Sequence, residues 1–485
     1  MLLVCTLRQL LATCQASNNM EPPSGGQVLL VKVVYERYHI TVKEALPKIK
    51  LPPKFTVNRY NNCTNVQECT QACVYGVHET GENGSIKEPL QDLCRGCYMC
   101  VLKCPKGAIS IGINPEFEKL GNSYFSPDRM KTIYFEAETG RVPVSGAGYA
   151  GPFAGEGFDS IWFDFSEIVR PTRDGIHGRE YISTSVDLGR RLQSLEFDEN
   201  QELISNIPQT IEIPLPIIFD APMSCGTSHN LLLVLAKAAT GLKTFAIVNA
   251  SEYSSDLAHY EANLIPRINP DKIDEFKDLV KTSRIVEVEL RDGDIEDQLK
   301  KVKLINPQAL VSFYFRYDEE APKRADAITE LGGDIVHFCV DEEVVERDPD
   351  AIKNAIHSVH SHLVDKHNRD KITLISSGGI AEAAHVPKSI ILGANAVALG
   401  TAYQIALGCK VCHGNMHSYD CLMNSEVGEV ELATQRITNL IGAWRDQLLE
   451  VLGGMGLREV RRQTGEIGRA MFYEELEGKV FGDKK

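Results

Sequence analysis

The stretch KITLISSGGIAEAAHVPKSIILGANAVALGTAYQ, residues 371–404, contains two short β-prone runs separated by a segment with helical character. The runs are Thr373–Ser377 and Ala396–Gly400, and glycine ends or directly follows each of them. A strand, a helix and a second strand in this order form the unit from which parallel sheets with crossover helices are built. The stretch therefore predicts an α/β fold.

Similar runs continue upstream as far as Pro216. They are Ile217–Asp220, Lys243–Val248, Ile285–Leu290, Leu310–Phe315 and Ile335–Val340. Together with an eighth, less clear run near Ile265–Ile268, they predict a (β/α)8 TIM barrel, and a doubly wound sheet is the competing fold. Beyond the barrel, helical spacing of apolar residues before Gly453-Gly454 predicts a C-terminal helix with one packed face, formed by Leu440, Ile441, Trp444, Leu448 and Leu452.

Ten of the 14 cysteines fall into three close groups, at residues 63–73, 94–104 and 409–421. Such short gaps are typical of metal ligands, whereas dense disulfides belong to small secreted chains. The middle group is Cys94-x2-Cys97-x2-Cys100-x3-Cys104 followed by Pro105. This run predicts a four-iron cluster, because three thiolates on one tight loop bind the cluster while the fourth cysteine turns towards a second one. A zinc site would instead pair two separated Cys-x2-Cys knuckles.

The first group, Cys63-x5-Cys69-x3-Cys73, has the same frame, but Val66 stands at the second ligand position. In a module with two clusters the last cysteine of each group is exchanged, so Cys73 joins the cluster of the middle group. The cysteines left for the second site are Cys63, Cys69 and Cys104. Three thiolates suit a three-iron cluster, and the alternative is that these cysteines are structural and bind no metal.

The third group, Cys409-x2-Cys412-x8-Cys421, directly follows the last predicted strand and encloses His413 and His417. A third iron–sulfur cluster and a zinc site are both compatible with these residue types. We favour a cluster, because the group lies beside a predicted flavin site.

The flavin prediction depends on the glycine-rich ends of the last two strands. Ser377, Gly378 and Gly379 lie at the end of one strand, and Gly400 and Thr401 lie at the end of the next. In barrels, backbone N–H groups of such loops bind a phosphate, which a larger side chain would exclude. A flavin is the expected ligand that carries this phosphate, since a flavin links one-electron clusters to two-electron chemistry. The alternative is that the glycines only form tight turns.

Composition excludes several functions. A net charge of -15 argues against nucleic acid as a partner, and the chain lacks the roughly 18 uninterrupted apolar residues of a membrane span. Residues 1–19 are apolar but begin without the positive charge of an export signal, so we expect a cytoplasmic protein. The expected organisation is an N-terminal extension (1–55), a ferredoxin-like iron–sulfur domain (56–115), a connecting region (116–215), a barrel with the third cysteine group (216–435) and a C-terminal helical tail (436–485).

These motifs resemble the glutamate synthase large-subunit family, most closely its short archaeal-type form. The resemblance covers about Pro52 to Gln435 and is carried by LPPKF at 51–55, CVYGVHE at 73–79, CRGCYMCVLKCP at 94–105, PIIFDAPMS at 216–224, LAKAAT at 235–240, SSGGI at 376–380 and ILGANAVALGTAYQIALGC at 391–409. It implies a ferredoxin-like two-cluster domain before an FMN-binding barrel. It also implies that Gly378, Gly379, Gly400 and Thr401 bind the FMN phosphate, and that Cys409, Cys412 and Cys421 hold a cluster close to the flavin. The implied reaction is reductive amination of 2-oxoglutarate.

The sequence departs from that family after the Ile335–Val340 run, where VDEEVVERDPD replaces a small neutral loop, and at Leu310–Phe315, which lacks a flavin-facing lysine. We therefore keep two hypotheses. The first is an iron–sulfur flavoprotein oxidoreductase acting on 2-oxoglutarate or a related keto acid or imine. The second is a non-catalytic electron-transfer subunit of a larger redox complex. No catalytic residue is assigned.

Partners are expected under both hypotheses. No Gly-x-Gly-x-x-Gly fingerprint follows a strand, so a separate NAD(P)H-oxidising flavoprotein or a ferredoxin is the expected electron donor. A glutaminase subunit is a further expected partner, since no glutaminase domain precedes the cysteine groups.

Overall fold

The structure, a computed structural model, describes residues 38–144, 146, 151–165, 181–192, 194–205, 207–222, 228–291, 294–411 and 427–475. The chain divides into two compact units, residues 1–40 and 41–485, and the architecture below is that of the second unit. The predictions on Cys412, Cys421, His413 and His417 lie outside the described residues.

The first part of this unit is a small module built from two similar halves. Its elements are β1 (Phe55–Arg59), α1 (Glu68–Ala72), α2 (Met99–Lys103) and β2 (Ile109–Ile113). The two strands pair antiparallel, with Phe55 opposite Ile113. Gln67 and Tyr98, which directly precede the two helices, both have left-handed backbone conformations. Each half thus makes the same sharp turn before its helix, as expected for two related cysteine loops.

The next region connects the module to the barrel and contains α3 (Pro115–Glu118), α4 (Pro127–Thr139), β3 (Ile161–Phe163), β4 (Val186–Gly189) and β5 (Thr210–Ile213). The Ser126 hydroxyl accepts a hydrogen bond from the Arg129 N–H, which caps α4. β4 and β5 form an antiparallel pair, and the Gly189 N–H donates to Thr373 Oγ1 at 3.0 Å. This bond attaches the pair to a barrel strand.

Eight parallel strands close into the predicted TIM barrel. They are β6 (Ile217–Phe219), β7 (Ala246–Asn249), β8 (Leu264–Ile268), β9 (Ile285–Glu289), β10 (Leu310–Arg316), β11 (Ile335–Cys339), β12 (Thr373–Ser377) and β13 (Ala396–Leu399). The closed barrel excludes the doubly wound sheet, and β8 is the strand that the sequence showed least clearly. The second strand begins at Ala246 rather than at the predicted Lys243, because Lys243 has a left-handed φ of 56° that separates it from the strand.

Helices cover the barrel, and a short strand follows the last of them. They are α5 (His229–Gly241), α6 (Lys277–Thr282), α7 (Ile295–Ile305), α8 (Ala321–Glu330), α9 (Glu342–Arg347), α10 (Ala351–Asp365), α11 (His385–Ile391), α12 (Thr401–Ala406), α13 (Val430–Gly454) and β14 (Ala470–Phe472). β14 pairs antiparallel with β3. The predicted apolar face of α13 is buried, and Trp444 Nε1 donates to Glu136 Oε2 on α4 at 2.8 Å. Among the described residues, no helix combines the length and apolar character that a bilayer crossing requires.

Candidate iron–sulfur and barrel sites

Four cysteines from two separate groups line one cavity of the small module. They are Cys73, Cys94, Cys97 and Cys100, and the apolar wall of the cavity includes Val57, Val77 and Ile111. The sequence prediction brought the same four cysteines together by exchanging the last cysteine of each group. The fold supplies this convergence because α1 and α2 pack against each other and carry the two groups side by side.

The cavity favours a bound cation. Burial, together with the nearby Cys73, Cys94 and Cys97, raises the pKa of the Cys100 thiol to about 11. Four thiolates this close repel one another, so a positive centre is needed to hold them deprotonated. Iron of a four-iron cluster supplies that charge, and the donor set therefore fits the cluster.

The remaining cysteines of the module lie in the same small core. Cys69 is buried, while Cys63 and Cys104 are partly buried against the core. Burial raises the pKa of Cys69, and Cys63 adds to the effect. The Ala108 N–H donates to Cys104 Sγ at 3.2 Å, just as the Val77 N–H donates to Cys73 Sγ at 3.4 Å. Val66, at the second ligand position of the first group where a fourth thiolate is missing, is exposed.

Of the third cysteine group, the structure describes only Cys409. It is buried just after α12, and its Sγ accepts a hydrogen bond from the Val411 N–H at 3.4 Å. The neighbouring Lys410 carbonyl accepts the Gly121 N–H at 3.2 Å. The start of this group therefore contacts the segment that follows the cysteine module.

The predicted glycine loops meet at one cavity at the carboxyl end of the barrel. Gly378, Gly379, Gly400 and Thr401 line it. Gly378 has a φ of +86°, and a Cβ there would lie 1.9 Å from the Val340 carbonyl oxygen, so no side chain is tolerated. Among the described residues, none accepts a hydrogen bond from the backbone N–H of Gly378, Gly379 or Thr401. These donors suit an anionic group.

Acidic side chains line the same cavity and oppose that anion. Asp220 and Glu342 both contribute to its wall, and the described lining contains no basic side chain. Glu342 is the first residue of α9. It belongs to the acidic stretch in which the sequence departs from the glutamate synthase family that it otherwise resembles. The backbone therefore fits the FMN phosphate, while the carboxylate of Glu342 weakens the fit. Ser377, also predicted to bind the cofactor, is 1% exposed and points instead to His337.

Beneath the cavity lies a buried polar group that we call the barrel-interior network, formed by Asp220, Arg267, Glu287, His337 and Ser377. Arg267 binds Asp220 and Glu287, each at 2.7 Å. His337 contacts Glu287 through Nδ1 at 2.8 Å and Ser377 Oγ through Nε2 at 3.0 Å. Burial alone would raise the pKa of Glu287, but Arg267 and His337 lower it to about 2.

The sequence patterns did not predict that these residues form a buried network. Its members interrupt strands that otherwise consist of apolar residues, as in LIPRI at 264–268, IVEVE at 285–289 and IVHFC at 335–339. Barrel strands covered by helices are expected to be nearly continuous apolar runs. A charged residue inside such a run is therefore the signal that could have found Arg267, Glu287 and His337.

A second buried cluster supports the glycine loop from outside the barrel. Asp159, Glu382 and His385 bring three possible metal ligands within 4.8 Å of one another. Arg129 binds both carboxylates, and Lys388 lies 3.4 Å from Asp159. Because these cations already balance the acidic groups, the cluster functions as an ion-paired tie between α4 and α11.

Comparisons with known proteins agree with this architecture. The "4Fe-4S binding domain" family model matches residues 89–110, and the model for the "conserved region in glutamate synthase" matches residues 339–458. The archaeal-type glutamate synthase [NADPH] of Dehalococcoides mccartyi is 25% identical over 86% of this chain and 95% of its own length. The archaeal glutamate synthase [NADPH] of Archaeoglobus fulgidus is 24% identical over 89% of this chain and 97% of its own length.

Among solved structures, a flavocytochrome b2 variant with pyruvate bound overlaps 71% of this chain and 82% of its own at 12% identity. Its TM-score of 0.41 is too low to carry an inference. The barrel topology and the cysteine motif define the class: a TIM-barrel protein with a 4Fe-4S ferredoxin-like motif on its N-terminal side. Within that class, the chain is similar over 86–90% of its length, at 24–25% identity, to proteins named archaeal-type or archaeal glutamate synthase [NADPH].

Proposed function

We propose that this protein is an iron–sulfur flavoprotein oxidoreductase, in which clusters pass electrons to FMN for reductive amination of 2-oxoglutarate or a related keto acid or imine. The observation that carries the proposal is the shared cavity of Cys73, Cys94, Cys97 and Cys100. Homology over 86–90% of the chain to proteins named glutamate synthase [NADPH] supports the reaction class.

The cysteines have separate roles in this proposal. Cys73, Cys94, Cys97 and Cys100 hold a 4Fe-4S cluster, and Cys63, Cys69 and Cys104 hold a 3Fe-4S cluster. Cys409, Cys412 and Cys421 hold a third cluster nearer the barrel. Electrons enter from a separate NAD(P)H-oxidising flavoprotein or a ferredoxin, with ammonia free or supplied by a glutaminase subunit, in the cytoplasm.

FMN would be held by its phosphate at the N–H groups of Gly378, Gly379 and Thr401, beside Gly400. When bound, FMN supplies the conversion between one-electron and two-electron chemistry. The chain fixes the loop that forms this cradle, since the Tyr124 hydroxyl donates to the Gly379 carbonyl at 2.5 Å. The proposed domain limits remain 56–115 for the cluster domain and 216–435 for the barrel.

The second candidate is a non-catalytic electron-transfer subunit. It is favoured by the acidic residue Glu342 in the lining of the cavity that must accept the phosphate, and by the pairing of Arg267 with two carboxylates. If the cradle no longer binds FMN, the barrel serves as a docking body and the clusters alone remain functional.

Anaerobic purification with cofactor counting separates the two candidates. Near-stoichiometric FMN with roughly ten irons per chain is expected for the oxidoreductase, from one four-iron and two smaller clusters. Oxidation of an artificial reduced donor should then depend on both 2-oxoglutarate and ammonium. Iron without FMN would refute the flavoprotein and leave the electron-transfer subunit.

A matched pair of cysteine variants tests the ligand assignment. Cys97→Ser should lose iron and the spectrum of the four-iron cluster, because Cys97 lines the proposed cluster cavity. Cys339→Ser removes a thiol buried in the barrel, outside the three cysteine groups, and should retain wild-type iron. Equal iron contents in the two variants would contradict the assignment.

A further inference from the structure

His78 is a buried histidine without a hydrogen-bond partner among the described residues. Its side chain lies in the cysteine module and is only 4% exposed, and neither Nδ1 nor Nε2 finds an acceptor or donor. Burying a polar group without a hydrogen bond is unfavourable, so native proteins rarely leave both ring nitrogens of a histidine unsatisfied. The arrangement therefore points to a partner outside the polypeptide.

The internal repeat of the module places His78 at a core position. Cys63 aligns with Cys94 and Cys73 with Cys104, each 31 residues apart (94 − 63 = 31 and 104 − 73 = 31), so His78 aligns with Ile109. Ile109 packs in the apolar core together with Cys69, Cys94 and Cys100. The two halves thus differ at this position, where one has an aliphatic side chain and the other an imidazole.

Two observations on neighbouring residues relate His78 to the cysteine groups. Val77, the preceding residue, lines the four-cysteine cavity and donates its N–H to Cys73 Sγ. On the other side, the charge of Arg59 acts on both His78 and Cys69. Burial first, and then Arg59, lowers the pKa of His78, so the ring is neutral and carries one N–H.

We propose that His78 donates its ring N–H to a sulfur atom of an iron–sulfur cluster held by these cysteines. This inference rests on the proposed cluster content of the protein. Cluster sulfur accepts hydrogen bonds, and each such bond stabilises the more negative, reduced cluster and raises its reduction potential. His78 is therefore a tuning residue for electron entry, and it acts without binding iron directly.

Pulsed EPR on protein labelled with 15N-histidine tests the contact directly. His78 is the only histidine among residues 56–115, so a weak 15N coupling to a cluster signal reports on this residue. A signal from the reduced four-iron cluster would assign the bond to the Cys73–Cys94–Cys97–Cys100 site, and one from the oxidised three-iron cluster to the Cys63–Cys69–Cys104 site. Strong coupling, as from a nitrogen bonded to iron, would overturn the hydrogen-bond proposal.

Redox titration of variants provides the second measurement. His78→Leu should lower the reduction potential of one cluster, whereas His78→Gln, which keeps an N–H donor, should retain more of the wild-type value. Ile109→Leu perturbs packing at the equivalent position and should leave both potentials unchanged. This inference, but not the proposed function, would be overturned if the wild-type protein had full iron content without 15N coupling and the His78→Leu variant kept wild-type reduction potentials. Failure of the wild-type protein to bind iron would overturn the proposed function as well.

Discussion

Replacing Arg267 by methionine should destabilise the barrel more than any comparable surface change. Arg267 is 9% exposed and is bound at 2.7 Å to each of two buried carboxylates, Asp220 and Glu287. Methionine fills much of the same space but removes the charge. Both carboxylates then remain buried with only the partial compensation that His337 and backbone donors provide.

The magnitude follows from the ion pairs. Removing one member of a buried pair typically costs about 3–5 kcal/mol. The pKa of Glu287 is lowered from 4.5 to about 2, which corresponds to roughly 3 kcal/mol of stabilisation of its charged form at neutral pH. We therefore expect Arg267→Met to reduce the free energy of unfolding by about 3–5 kcal/mol at pH 7.5.

The effect should also depend on pH. In the wild-type protein, the contribution of Glu287 is present above pH 4.5 and is lost as the pH falls towards 2, because the folded pKa is the lower one. Without Arg267, burial dominates and raises the Glu287 pKa above its usual value. The variant carboxylate then takes up a proton more readily than the wild-type carboxylate as the pH falls, so the difference in stability from wild type should be smaller at pH 5 than at pH 7.5.

Urea unfolding followed by circular dichroism, at equal iron content, measures these differences. The matched control is Arg291→Met, which removes an exposed arginine bound to Glu289 at the end of β9, the strand that carries Glu287. That surface pair should contribute only about 0–1 kcal/mol. The reasoning is refuted if Arg267→Met costs no more than Arg291→Met, or if its cost does not decrease at pH 5.

Three further predictions concern the cofactor sites. Glu342→Gln should increase the amount of FMN retained per chain, because it removes a carboxylate from the cavity that receives the phosphate. The control Glu343→Gln, outside that cavity, should not increase FMN retention. Equal FMN retention in the two variants would exclude Glu342 as the opposing charge. Val66→Cys should restore a fourth thiolate to the site of Cys63, Cys69 and Cys104. The EPR signal of an oxidised three-iron cluster should then be replaced by that of a reduced four-iron cluster. An unchanged EPR signal with an unchanged iron count would argue against these three cysteines as the ligands. Gly378→Ala should lower the melting temperature more than Gly332→Ala. Both glycines have a positive φ, but only a Cβ at Gly378 would meet a backbone oxygen, that of Val340 at 1.9 Å. Equal changes in melting temperature would show that the loop relaxes around the new side chain.

Local sequence patterns were sufficient for the strands and for the cysteine loops. Alternating β-prone and helical runs indicated the barrel, because each strand and its crossover helix have their own periodicity. The sequence also led to the prediction that Cys73 joins the middle group, since the last cysteine of each group is exchanged in a two-cluster module. The cavity lined by these cysteines agrees with that expectation.

Electrostatic context was not predictable in the same way. The acidic stretch after β11 was evident, but only the fold shows that Glu342 lines the same cavity as Gly378 and Gly400. Likewise, the strand at 310–316 lacks a lysine, and the structure places the guanidinium of Arg267 from β8 3.7 Å above the ring of Tyr314 on that strand. Residues far apart in the chain thus determine the charge at the barrel end.

The fold class, the cysteine spacing and the family resemblance can be recognised from the amino-acid sequence, because periodicity and ligand spacing are local properties of the chain. The three-dimensional fold was needed to show which charges meet inside the barrel and that His78 is buried without a hydrogen-bond partner among the described residues. Barrel closure brings the ends of eight strands together, and burial removes the water that would otherwise screen their side chains. Pairing and desolvation therefore depend on contacts between distant residues, which no local pattern specifies.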